Sequence, residues 1–139
     1  MSTTKKTVFI TGSTRGIRLA LATYYTKAGW NVVGTARANS NTDKIVTIDT
    51  TNEESVADVA RQLEGVAIDL LINNAGTGWL TEIVEPTKAM FLSVYEVNVV
   101  GPFLVTRALQ PNLQLASVAQ ISSLLGSISS RDGKFEIKM

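Results

Sequence analysis

Two short segments of the chain put small and polar residues where a strand gives way to a turn. The first is Thr11-Gly12-Ser13-Thr14-Arg15-Gly16-Ile17, which follows the apolar run Thr7-Val8-Phe9-Ile10 and leads into a helical pattern. Glycines in such a turn let backbone approach a ligand. The start of a helix adds unpaired N–H groups and a partial positive charge, and together these suit a pyrophosphate. It is not a P-loop, because Gly16 is not followed by Lys and then Ser or Thr. The second segment is Asn73-Asn74-Ala75-Gly76, after the apolar run Ile68-Asp69-Leu70-Leu71-Ile72. Small residues at the carboxyl end of a parallel strand let a ribose or an adenine pack close. Each segment taken alone is equally a tight turn with no ligand.

The chain holds no Cys and no His. Disulfides, thiolate nucleophiles, thiolate or imidazole metal sites and any His base are therefore excluded, and no metal site is expected. Chemistry is left to Ser, Thr, Tyr, Lys, Arg, Asn and the carboxylates.

The elements that must position these residues alternate between apolar runs and helical patterns, the signature of an α/β fold with a parallel sheet. Strands are predicted at 7–10, 31–35, 45–48, 68–72 and 117–121. Ile17, Ala20, Leu21, Tyr24 and Ala28 recur at helical spacing, and Gly29 stops that helix. Thr51 with Glu54 has the spacing of a capping box ahead of Val56, Val59, Ala60 and Leu63. Residues 77–87 read as loop. A longer helix is predicted from about Phe91 to Leu109, bent at Gly101-Pro102. Only residues 36–44 separate strands two and three, too few for a covering helix, so one sheet face should be poorly covered there.

The chain has 139 residues, enough for one domain. Its 45% hydrophobic and 18% charged content is that of a globular protein. A net charge of +1 points to neither nucleic acid nor an anionic membrane surface. No apolar run reaches membrane-spanning length and no secretory signal is visible, so a cytoplasmic protein is expected.

Taken together, the motifs resemble the short-chain dehydrogenase/reductase family, most closely its carbonyl-reductase-like branch with the sniffer and C-factor proteins. The family pattern Thr-Gly-x-x-x-Gly-Ile-Gly is met at Thr11, Gly12, Gly16 and Ile17, and Asn-Asn-Ala-Gly at residues 73–76. The Asn of its long helix falls at Asn98 and the Ser after its fifth strand at Ser123. The resemblance runs from about Lys6 to Gly126. It implies a Rossmann-like doubly wound parallel sheet of five strands over residues 1–126, with an irregular tail at 127–139.

It also implies a nicotinamide dinucleotide. Gly12, Ser13, Thr14, Arg15, Gly16 and Ile17 would hold the pyrophosphate. Asp49 would meet the adenine, and Asn74, Ala75 and Gly76 the adenosine ribose side. Arg37 ends strand two, where NAD-preferring members hold an acid for the 2′-hydroxyl. A guanidinium there favours the 2′-phosphate, and Arg15 lies within reach of the same group, so NADP is expected before NAD. Both arginines also fit plain solvated positions. Ser123 and Asn98 are the catalytic residues carried over, acting on a small carbonyl or alcohol.

The sequence departs from the family in three ways. Arg18 replaces a Gly that allows close helix–strand packing, which should weaken cofactor binding. No Tyr is followed four residues later by Lys, the pair that supplies the family's proton. Loss of a general acid removes about 10²- to 10⁴-fold of rate. The family sheet also continues past strand five, so the chain reads as truncated, with strand five at an edge and the long helix uncovered. Impaired turnover is therefore expected. Two alternatives are an active enzyme with a surrogate acid, such as Tyr95 or a group from a partner chain, and a non-enzymatic interaction protein. The long helix and the strand-five edge offer a route to homo-oligomers.

Overall fold

The computed structural model describes residues 5–12, 17–37, 45–78, 86–123 and 129, with the backbone alone at Ile17 and Arg18. Five parallel strands form one sheet: β1 (Thr7–Ile10), β2 (Asn31–Ala36), β3 (Ile45–Thr47), β4 (Leu70–Asn73) and β5 (Ser117–Gln120), in the order β3-β2-β1-β4-β5. The fold class is the expected Rossmann-like arrangement. Strand order reverses direction at β1, so the β1/β4 boundary is the switch point where such sheets open a crevice.

Both faces of the central strands are covered, and Val8, Phe9 and Ile10 of β1 and Leu71 and Ile72 of β4 are buried whichever face they point to, while β5 is largely exposed. On one face Phe9, Ile48 and Leu71 pack against Val56, Val59 and Leu63 of α2 (Glu53–Gln62) and Leu104 and Val105 of α4 (Gly101–Ala108). On the other, Val8, Ile10, Val32 and Ile72 pack against Leu21, Ala22 and Tyr25 of α1 (Ile17–Lys27). Gly29, at φ +82°, ends the α1 turn as expected. β3 is a three-residue edge strand whose Ile45 and Val46 are only half-buried. Residues 38–44, which precede it, lie outside the described residues.

Three local expectations are corrected. The cap of α2 is Asn52, whose side chain accepts from Ser55 N, and not Thr51. Thr51 is already spent, because its N and its hydroxyl both donate to Asp49 Oδ1 at 2.9 and 2.7 Å. The long helix starts earlier than Phe91: α3 (Lys88–Tyr95) begins at Lys88, with the Thr87 hydroxyl accepting from Met90 N. The expected bend is a π-turn over Glu96–Val100, just before Gly101-Pro102. Pro102 has no N–H to give Asn98 O, and Gly101 N donates instead to Glu96 O, five residues back. Strand four is also shifted, to Leu70–Asn73.

The helical stretch Lys88–Ala108 has 21 residues, and an 18-residue window within it has a mean hydropathy of 1.5, long and apolar enough to cross a membrane by length and composition alone. It is not one uninterrupted apolar run, because Glu96, Asn98 and Arg107 fall within it. Its second half is core: Gly101, Leu104 and Val105 are buried against the sheet side of the fold. Its first half is exposed, with Phe91, Leu92 and Tyr95 each more than half accessible.

Candidate functional site

The ends of β1, β2 and β4 are tied together by threonine hydroxyls. Thr11 Oγ1, just past β1, accepts from both Asn74 N and Ala75 N at 2.9 Å. Asn74 returns the contact, its Nδ2 donating to Thr11 O at 3.1 Å. Thr35 is wholly buried on β2, and its Oγ1 accepts from Gly12 N at 2.8 Å. Gly12 takes φ +68°, a conformation that costs Gly nothing and most residues about 1 kcal/mol or more. The two glycine-bearing segments singled out in the sequence are thus locked side by side at one sheet edge.

Above them lies a cavity of about 180 Å³ lined by Gly12, Arg37, Asp49, Ala75, Gly76 and Val97. Ile48 and Val97 give it apolar walls, and Arg37 and Asp49 a polar rim. Asp49 is braced from two sides: its N donates to Ser55 Oγ, and its Oδ1 accepts from the Thr51 N and hydroxyl. A larger open cleft of about 1330 Å³ continues from Arg37 along Asn73–Gly78 to Asn98, Phe103 and Ser123.

Asn98 sits in the π-turn and holds the loop after β4. Its Oδ1 accepts from Thr77 N and its Nδ2 donates to Thr77 O, both at 2.8 Å. A Cβ on Gly76 would lie 3.4 Å from Asn98 Oδ1, so a small residue suits this position. Farther along, Thr106 Oγ1 donates to Pro102 O at 2.7 Å and accepts from Asn73 Nδ2 at 3.1 Å. With the Thr106 proton committed to Pro102, Asn73 must present its NH₂ there. Its Oδ1 then faces elsewhere, buried and with no partner among the described residues.

A strand–turn–helix with Gly12 at positive φ, an Asn-Asn-Ala-Gly turn beside it and a cleft at the carboxyl strand ends describe a dinucleotide-binding sheet. The family model "short chain dehydrogenase" matches residues 6–134. The chain belongs to the short-chain dehydrogenase family. It is 32% identical over 121 residues to a short-chain dehydrogenase/reductase of Pestalotiopsis microspora, covering 81% of this chain and 45% of that one. Among solved structures it is similar to an NADPH-bound carbonyl reductase from chicken fatty liver, with TM-score 0.81 and 26% identity, covering 94% of this chain and 64% of that one. It is also similar to a Brucella ovis oxidoreductase of the family in complex with a partially ordered NAD, with TM-score 0.70 and 27% identity, covering 83% and 61%. The chain spans less than two thirds of the length of each of these relatives.

Of the residues expected at a short-chain dehydrogenase site, the structure gathers Gly12, Arg37, Asp49, Asn74, Ala75 and Gly76 around the two connected cavities. Asn98 and Ser123 line the larger one. Ser13, Thr14, Arg15 and Gly16 lie outside the described residues, as do residues 124–128 and 130–139, and with them all of the expected tail but Ser129. Ile17 and Arg18 open α1. Tyr95 lies on the exposed side of α3 and lines neither cavity, so nothing in the geometry brings its phenol to the site. Sequence reading missed Thr35, Thr77 and Thr106. Threonine is an ordinary strand and helix residue, and only the partner across the fold reveals its hydroxyl as a pin.

Proposed function

We propose that the chain binds NADP, in preference to NAD, and that its chemistry by descent is the reduction of a carbonyl or the oxidation of an alcohol. The observation that carries this reading is the convergence of Gly12, Arg37, Asp49, Ala75 and Gly76 on one cavity at the switch point of the sheet. The residues suit the cofactor. Apolar walls accept a flat heteroaromatic ring, and the polar rim meets a ribose. Arg37 is exposed at the end of β2, where a guanidinium pairs a 2′-phosphate through two parallel bonds. A nicotinamide, when bound, would give a hydride to the carbonyl or take one from the alcohol. For the chain's part, Ser123 lines the cleft as a hydroxyl donor to the substrate oxygen, and Asn98 holds the Gly76–Gly78 loop in place.

These 139 residues contain no Tyr followed four positions later by Lys. Ser123 alone is far too weak an acid to protonate an alkoxide at neutral pH. We therefore propose that turnover by these residues is slow or absent, and we place the protein in the cytoplasm on the same reading. The exposed apolar side of α3, with Phe91 and Tyr95, and the outer edge of β5, unpaired among the described residues, fit self-association.

The test is to fill the cavity. Gly76→Val places branched carbon beside Asn98 Oδ1, at a position that lines both cavities. NADPH should raise the melting temperature of the parent chain and have no effect on a folded Gly76→Val. An equal rise in both would overturn the assignment of the cofactor to this cavity.

A further inference from the structure

β5 stands at one edge of the sheet, and its inner side is spent on β4. Ser117 N donates to Asp69 O and Ile121 N to Asn73 O, both at 3.0 Å, and Ala119 lies between them opposite Ile72. Backbone groups alternate in direction along a strand, so those of Val118 and Gln120 point the other way. Among the described residues no strand lies on that side to meet them. Every residue from 117 to 121 except Ala119 is exposed, Val118 to 43% and Ile121 to 49%. Natural edges are blunted by charge, by Pro, by a bulge or by brevity. β3, at the other edge, has three residues. β5 carries none of these defences. No charged residue lies between Arg107 and Arg131, and no Pro follows Pro111. Its ladder with β4 runs in unbroken register from Leu70↔Ser117 to Asn73↔Gln120.

We propose that this edge pairs with the same edge of a second copy of the chain, antiparallel about a two-fold axis through Ala119. The inference rests on the self-association proposed above and assigns its two-fold contact to β5, with α3 a separate surface. A closed pair of identical copies needs a self-complementary strand. With the axis at Ala119, Val118 meets Gln120 of the second copy and Gln120 meets its Val118, so the outward N–H and C=O groups exchange both bonds of each pair. This register pairs all of residues 117–121. An axis at Val118 or Gln120 leaves part of the strand over. Ala119 then faces its own copy in a non-hydrogen-bonded pair, where Cα atoms approach to about 4.5 Å and a small side chain fits. Ile121 stands over Ser117 of the second copy, large against small, and no like charges meet. A foreign strand would need charge or a side-chain pocket to be selected, and β5 offers no charge. Its own copy matches it in register.

The chain has no Cys, so single cysteines report the register. With oxidised glutathione, Ala119→Cys should form a disulfide-linked dimer, because the two Cα atoms stand within the span a disulfide bridges. Ser117→Cys alone and Ile121→Cys alone should stay unlinked, and an equal mixture of the two should link. Leu115 is fully accessible, but its two copies would stand roughly 27 Å apart in this pair, so Leu115→Cys should stay unlinked. Adding Val118→Lys and Gln120→Lys, both at exposed positions, sets like charges across the axis and should abolish the Ala119→Cys link without lowering the melting temperature. The link should persist in the Phe91→Glu, Tyr95→Glu chain, and its loss there would place the contact on α3 and overturn the inference. A parent chain that sediments as a monomer at every concentration overturns self-association itself. A parent that associates while Ala119→Cys links no faster than Leu115→Cys overturns only the pairing through β5. Equal linking at all four positions, or large aggregates in place of a dimer, means non-specific stacking of edges and overturns it as well.

Discussion

The Asn98 carboxamide closes on the backbone of Thr77 from both sides, accepting from its N and donating to its O, each at 2.8 Å. This grip joins the π-turn of the long helix to the loop that follows the Asn-Asn-Ala-Gly segment. It spends both polar atoms of the side chain, so Asn98 acts on the site by holding Thr77.

Asn98→Ala should therefore destabilise the chain by about 1–3 kcal/mol, the cost of two lost bonds in a partly exposed setting. Asn98→Asp should be no better than Ala, because a carboxylate keeps the acceptor for Thr77 N but turns a second oxygen toward Thr77 O. Chemical denaturation of the three proteins gives the comparison. Equal stability of Asn98→Ala and the parent would show that the grip contributes nothing.

Gly101 is the second point of close approach. A Cβ there would stand 3.0 Å from Thr50 Oγ1 and 3.3 Å from Thr50 O, and Gly101 is buried. Gly101→Ala should cost about 1–3 kcal/mol from overpacking, although Ala is the better helix former. Adding Thr50→Ala should recover part of that loss, because it removes the nearer contact. A Gly101→Ala chain as stable as the parent would mean that α4 can shift away from Thr50 without cost.

Thr106 links the end of β4 to α4 by taking the Asn73 Nδ2 proton while giving its own to Pro102 O. Thr106→Val leaves Asn73 buried with neither polar atom paired, a loss of about 1–3 kcal/mol, and Thr106→Ser should be much milder. Melting temperatures in the order parent, Ser, Val are expected. The reverse order of Ser and Val would show that the methyl group of Thr106 matters and its hydroxyl does not.

The sheet was legible in the sequence because its signal is local. Thr7–Ile10 is buried on all four residues and reads as a two-faced parallel strand, and Gly29 marks a turn by itself. The boundaries that were misread turn on a contest between neighbours. Thr51 has the spacing of a cap, but Asp49 claims its hydroxyl first and leaves the cap to Asn52. Gly12, Ala75 and Gly76 were visible as candidates because two small-residue turns each follow an apolar run, although either alone reads as a plain turn. The pins behind them were not. Thr35 meets Gly12 across 23 residues of sequence and Thr11 meets Asn74 across 63, and no local pattern records such a pairing.

The exposed apolar side of α3 predicts behaviour at high concentration. Phe91 and Tyr95 are 58% and 56% accessible, one helical turn apart on one side. Sedimentation of the parent chain should show concentration-dependent association, and Phe91→Glu with Tyr95→Glu should shift it toward monomer. A parent chain that stays monomeric throughout would remove self-association from the account.

The most direct measurement is calorimetric titration of NADPH and NADH into the parent chain and into Arg37→Asp. A charge-assisted pair to the 2′-phosphate is worth about 1.5–3 kcal/mol, so the parent should bind NADPH roughly tenfold to a hundredfold more tightly than NADH. Arg37→Asp should abolish or reverse that preference, because a carboxylate repels the phosphate and accepts from a 2′-hydroxyl. Equal affinities of the parent for the two cofactors, or a preference that survives Arg37→Asp, would contradict the assignment of NADP to this site.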